Sequence, residues 1–136
     1  MACHQKKVFV VKNAPAAIGP YSIATGGGPF IFTSGQLGID PKTGELVAGG
    51  IEEQTRQALQ NLKEILNATD SCLENVVKTT VYLQDMNDFP KMNAVYAEFF
   101  AEKSPARTTV QVAGLPKKAL VEIDAISMLN EKKDCC

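Results

Sequence analysis

Apolar and polar residues repeat with two different periods along this chain, and each change of period marks an element. Residues 7–11 (KVFVV) and 30–34 (FIFTS) are short runs of β-branched and aromatic residues and predict strands. Pro15, Gly19, Pro20 and the run GGGP at 26–29 lie between them as turn punctuation. Residues 35–50 show no period and predict a loop, long enough to do more than connect. From Ile51 the spacing turns helical. Ile51, Ala58, Leu59, Leu62, Ile65 and Leu66 form one face, with Glu52, Glu53, Arg56, Lys63 and Glu64 outside it. Glu52 and Glu53 suit the positive end of the helix dipole. Residues 75–83 (NVVKTTVYL) return to a strand pattern. Asp88 is placed to cap a second helix with Pro90 in its first turn. Phe89, Met92, Val95, Tyr96, Phe99 and Phe100 follow as an apolar stripe, read as core and not as a cofactor site. The chain closes with TTVQV at 108–112, a turn through Gly114 and Pro116, and ALVEIDAISML at 119–129, which together predict a hairpin. The order strand, strand, helix, strand, helix, strand, strand predicts an α+β fold with a mixed sheet and both helices on one face.

The last strand is apolar on both sides, with Val121, Ile123 and Ala125 on one and Leu120, Ile126 and Met128 on the other. Two helices cover only one face of such a sheet. No chain remains for the second, which predicts a symmetric homo-oligomer.

Composition narrows the class without naming a function. The 136 residues are 45% hydrophobic and 21% charged with a formal net charge of −1, as in an ordinary globular protein. We expect one domain over 1–136, with an ordered core from about 7 to 128 and flexible termini. No apolar run reaches the roughly 20 residues of a membrane span, and VFVV is too short for a signal-peptide core. Cys3, Cys72, Cys135 and Cys136 lack metal-ligand spacing and read as reduced thiols of a cytoplasmic protein. Basic pairs are scattered and 15 acids offset 14 bases, which speaks against nucleic acid as the main partner.

Elimination leaves few groups for chemistry. His4, the only histidine, lies at the terminus, so a Ser-His-Asp or Cys-His device has no base. There is no zinc spacing, P-loop or dinucleotide fingerprint. Arg107 stands out, fixed behind Pro105 with no acid nearby in sequence. If the predicted hairpin pairs Val112 with Ala119, Thr109 lies opposite Glu122 and Arg107 opposite Asp124. Arg107 and Glu122 then project to one side. That arrangement fits a structural ion pair on a solvated sheet face as well as it fits a site.

The stretch PARTTVQVAGLPKKALVEI at 105–123 resembles the C-terminal signature of the Rid (YjgF) family, in which Pro-Ala-Arg precedes Leu-Pro and a hydrophobic-Glu-hydrophobic strand. NAPAAIGPYS, TSGQLGIDPKTGEL, NVVKTTVYLQDMNDF and MNAVYAEFF resemble its other blocks, in order, from about Lys7 to Met128. The sequence is similar to the RidA subgroup. The resemblance implies a chorismate-mutase-like homotrimer with sites between subunits, hydrolysing reactive 2-imino acids to 2-keto acids and ammonia without metal or cofactor. The functional positions implied are Tyr21, Ser34, Gly35, Asn93, Arg107 and Glu122, with Arg107, Glu122 and Tyr21 catalytic. Arg107, Ser34, Gly35, Asn93 and Thr109 would bind substrate. Two departures stand beside this pattern: Thr108 is larger than usual, and Thr109 occupies a position where the family often has cysteine. Two other readings are a ribonuclease that inhibits translation and a non-catalytic binder of small carboxylates.

Overall fold

The computed structural model describes residues 5–131. Seven strands and two α-helices follow in the order β1 (Lys7–Phe9), β2 (Ala24–Gly27), β3 (Phe30–Thr33), β4 (Gln36–Leu37), α1 (Ile51–Ala68), β5 (Val76–Leu83), α2 (Phe89–Phe99), β6 (Ala106–Gln111) and β7 (Val121–Met128). The sheet order is β1-β2-β3-β7-β5-β6, with β4 pairing β7 beyond β3. All pairs are antiparallel except β5 and β6. This is the expected α+β architecture, with both helices on one face of a mixed sheet.

Amphipathic pattern decides that layering. Ala58, Leu59, Leu62, Ile65 and Leu66 of α1 and Met92 and Tyr96 of α2 bury against Ile31, Val81, Leu83, Val121, Ile123 and Ala125 of the sheet. α1 begins at the predicted residue, where the Glu53 carboxylate accepts from the Gly50 amide at 2.8 Å. Asp88 immediately precedes α2 without a side-chain cap. Asp85 does the capping one turn earlier, accepting from the Asn87 amide at 2.9 Å in a short 3₁₀ turn.

The predicted hairpin does not form. Helix α2 is a crossover that returns the chain parallel to β5, so β6 lies beside β5 with Thr79 paired to Arg107 and Val81 to Thr109. The chain then passes to the other edge of β5, where β7 pairs antiparallel with Tyr82 opposite Glu122 and Thr80 opposite Asp124. β5 thus separates the two strands that sequence spacing had joined. β2 also differs from expectation: part of the glycine run is a strand, and Gly28, at φ 56°, forms the turn into β3. Cys72, expected as a free thiol, is disulfide-bonded, while Cys3, Cys135 and Cys136 lie outside the described residues. No helix among the described residues is long and apolar enough to cross a membrane.

Candidate functional site

The topology divides the expected site residues between the two faces of the sheet. Along β5, Thr79, Val81 and Leu83 are buried toward the helices, and Thr80 and Tyr82 alternate to the open face. Directly paired residues share a face. Arg107 and Thr109, paired with Thr79 and Val81, therefore face the helices, whereas Glu122, paired with Tyr82, faces away. The Arg107–Asp124 and Thr109–Glu122 juxtapositions expected from a hairpin are absent for this reason. The structural ion pair goes with them: among the described residues the only ion pair joins Arg56 and Glu98 at 2.8 Å.

On the helix face, Arg107 meets α2. Its guanidinium carbon lies 4.7 Å from the centroid of the Tyr96 ring and 5.5 Å from that of Phe89. Asn93 lies between those residues along the helix. Together with Tyr96, Ser104, Pro105 and Arg107 it lines an open cleft of about 460 Å³. The Asn93 Oδ1 and Thr109 Oγ1 atoms are enclosed and have no hydrogen-bond partner. A buried polar atom left unpaired carries a desolvation penalty of about 1–3 kcal/mol.

On the other face Tyr21, Gly35 and Glu122 line a small cavity of about 50 Å³ with Ile18 and Pro116. Gly35 is there for steric reasons, because a Cβ at that position would lie 2.6 Å from the Glu122 Cδ and 2.7 Å from its Oε2. Burial, and then the charge of Asp124 two residues along, push the Glu122 carboxyl above the ordinary carboxylate range. Asp124 is raised by its own burial, an effect opposed by the Tyr82 hydroxyl, which donates to it at 3.3 Å. A carboxyl shifted this way ionises nearer neutrality and is a better proton acceptor than an exposed one. The Tyr21 hydroxyl accepts from the Ile18 amide at 3.2 Å and closes a turn at the rim.

Ser34 serves this half indirectly. Its hydroxyl donates to the Ser22 carbonyl at 2.5 Å, and its amide donates to Ile23 O at 2.8 Å. A serine has one hydroxyl proton, so Ser34 holds the Tyr21 segment and has only lone pairs to offer a ligand. Among the described residues no three His, Cys, Asp or Glu side chains are placed to hold a metal ion. A larger concavity of about 620 Å³ between the ends of α1 and α2 is lined by outward charges such as Lys63, Glu74 and Glu102 and gathers none of these groups.

Sequence reasoning missed Phe89 and Tyr96 as neighbours of Arg107, because both sit in a stripe that reads as core. A tyrosine among phenylalanines was the available signal, since a buried hydroxyl needs a partner.

Comparison with known proteins adds a family. Residues 11–129 match the family model described as Endoribonuclease L-PSP. A RutC family protein of Pyrococcus horikoshii is 57% identical over 122 residues, covering 90% of this chain and 97% of its own. The mouse 2-iminobutanoate/2-iminopropanoate deaminase is 51% identical over 123 residues, covering 90% of this chain and 91% of its own. The structure of Escherichia coli TdcF with bound serine superposes with a TM-score of 0.86 at 41% identity, covering 91% of this chain and 99% of that one. With matches this extensive in sequence and fold, the chain belongs to the endoribonuclease L-PSP family, also known as the YjgF/Rid family.

Proposed function

We propose that this protein hydrolyses reactive 2-imino acids, and the enamines in equilibrium with them, to 2-keto acids and ammonia. The observation that carries the reading is an arginine with no carboxylate partner among the described residues, set in an open cleft that Asn93 and Tyr96 also line. A planar fork of N–H donors matches a substrate carboxylate with two parallel hydrogen bonds. Asn93 lines the same cleft and bounds the space beside the guanidinium. The names of relatives such as the mouse deaminase support the activity, and a related fold holding serine supports recognition of a small carboxylate.

Chemistry follows from the groups in hand. With the substrate held, Glu122 takes a proton from water as the oxygen attacks C2 and the C=N π electrons move to nitrogen. The proton passes to the amine of the resulting carbinolamine. The C–N bond then breaks, ammonia leaves, and the hydroxyl proton departs to give the keto acid. The backbone amide of Gly35 and the hydroxyl of Tyr21 stand beside Glu122 to orient the water and the leaving amine. General base catalysis of this kind contributes roughly 10²–10⁴-fold.

Arg107 and Glu122 lie on opposite faces of one sheet, so a single chain does not assemble this site. We therefore propose a homotrimer in which Arg107 of one subunit works with Glu122 of the next. The open face, with Phe32 and Met128 exposed, is the surface available for that assembly.

The family model's description points to a second reading, RNA cleavage. A net charge of −1 and scattered lysines give it no electrostatic footing. Ammonia release from freshly generated 2-aminoacrylate, measured with and without the purified protein, separates the two. Acceleration supports the deaminase, and no acceleration together with RNA cleavage overturns it.

A further inference from the structure

We infer that Phe89 and Tyr96 form an aromatic platform that fixes the plane of the Arg107 guanidinium, with Thr79 as its anchor. The inference rests on the proposed role of Arg107 in gripping a carboxylate, and it identifies the residues that make the grip stiff.

A guanidinium has an electron-poor face and a hydrogen-bonding edge. The usual way to hold one is an acid, which takes two of the N–H donors and leaves less edge for a ligand. An aromatic ring attracts the same cation through its face. Arg107 is held in this second way, 4.7 Å from the Tyr96 centroid and 5.5 Å from that of Phe89. Residues 89 and 96 are seven apart on α2, close to two helical turns, so their rings line one stripe along the arginine. A ring takes up none of the N–H donors as a carboxylate would, and among the described residues no carboxylate pairs with Arg107.

The support is itself fixed. Tyr96 is 6% exposed, and its hydroxyl shares a 2.7 Å hydrogen bond with Thr79 Oγ1, a residue with no exposure at all. Its ring also packs on Phe100, with centroids 4.8 Å apart. Thr79 is in addition the residue on β5 whose backbone pairs with Arg107. The same strand position thus registers the arginine's backbone and the ring under its head. A guanidinium held at both ends loses less freedom when a ligand binds, which appears as affinity.

Three variants test this: Tyr96→Leu removes the ring, Tyr96→Phe keeps the ring and loses the anchor bond, and Phe89→Leu removes the more distant ring. Two readouts apply to each, calorimetric binding of 2-ketobutyrate and steady-state turnover of the imine, with thermal melts to confirm folding. Tyr96→Leu should weaken carboxylate binding about tenfold and raise KM similarly, leaving kcat within about twofold, the signature of lost uniform binding. Tyr96→Phe should recover most of the affinity, and Phe89→Leu should lose about threefold. If Tyr96→Leu does not fold, Phe89→Leu carries the test. A folded ring-deleted variant that binds like the parent overturns the inference and leaves the deaminase reading standing. A parent protein that binds no carboxylate removes both.

Discussion

Gly35→Ala perturbs the proposed chemistry by one methyl group, and the structure gives its size. The new Cβ would lie 2.6 Å from Glu122 Cδ, 2.7 Å from Oε2 and 2.9 Å from Cγ. Carbon atoms reach their optimal separation at about 3.5 Å, so the carboxyl must retreat by roughly 1 Å. The move is cheap for stability, because the obstacle is the end of a flexible side chain and Gly35 has no positive φ that alanine would strain. Lower freedom in the unfolded chain offsets part of the clash, so the melt should change by less than about 1 kcal/mol. A misplacement near 1 Å in a group that handles the proton slows turnover by about 10²-fold. The assay is ammonia release from 2-aminoacrylate, with a melting curve on the same sample. A folded alanine variant with parental turnover would refute the claim that the position of Glu122 sets the rate.

Glu122→Gln is nearly isosteric and should fold normally while losing about 10²-fold or more in kcat, because an amide orients water but accepts no proton. Arg107→Lys keeps the charge and loses the fork, so it should restore only a small part of the activity lost in Arg107→Ala, with both binding 2-ketobutyrate poorly in calorimetry. The rate should rise with pH as Glu122 ionises, with a midpoint above the ordinary carboxylate range, and Asp124→Asn should move that midpoint down by removing the nearby charge; an unmoved midpoint would assign the acid limb to another group. Stability runs the opposite way. Both carboxyls are raised in the folded chain, so their contribution is full below the unfolded carboxylate range and is lost as pH rises through the raised values, which denaturant midpoints across that window would show.

Both helices were legible because each carries a wide apolar stripe, and β5 and β7 because their branched residues leave no helical alternative. β2 was not, since the sequence ATGG has no strand signature and pairs only because β1 and β3 flank it. The hairpin expectation failed for a topological reason. Local spacing favoured β6 beside β7, but α2 returns the chain parallel to β5, and the nine residues after β6 reach across to its other edge. That one difference moved Arg107 and Glu122 from one face to two. Short motifs single out candidate residues; which of them share a chain's face depends on pairing that no local pattern encodes. The rings beneath Arg107 stayed hidden because a residue can be core on one side and support on the other.

Subunit mixing tests the central claim, hydrolysis at a site built by two subunits, most directly. Arg107→Ala and Glu122→Gln are each prepared, mixed in equal amounts, unfolded and refolded together, with hetero-oligomers confirmed by native mass spectrometry. Each variant alone lacks one half of every site. In a cyclic trimer, any mixed assembly contains one interface where an intact arginine meets an intact glutamate, and random mixing makes about three-quarters of the trimers mixed. Imine turnover should recover to about one quarter of the parental level. Hetero-oligomers that form and stay inactive would contradict a shared site, as would either variant being fully active alone.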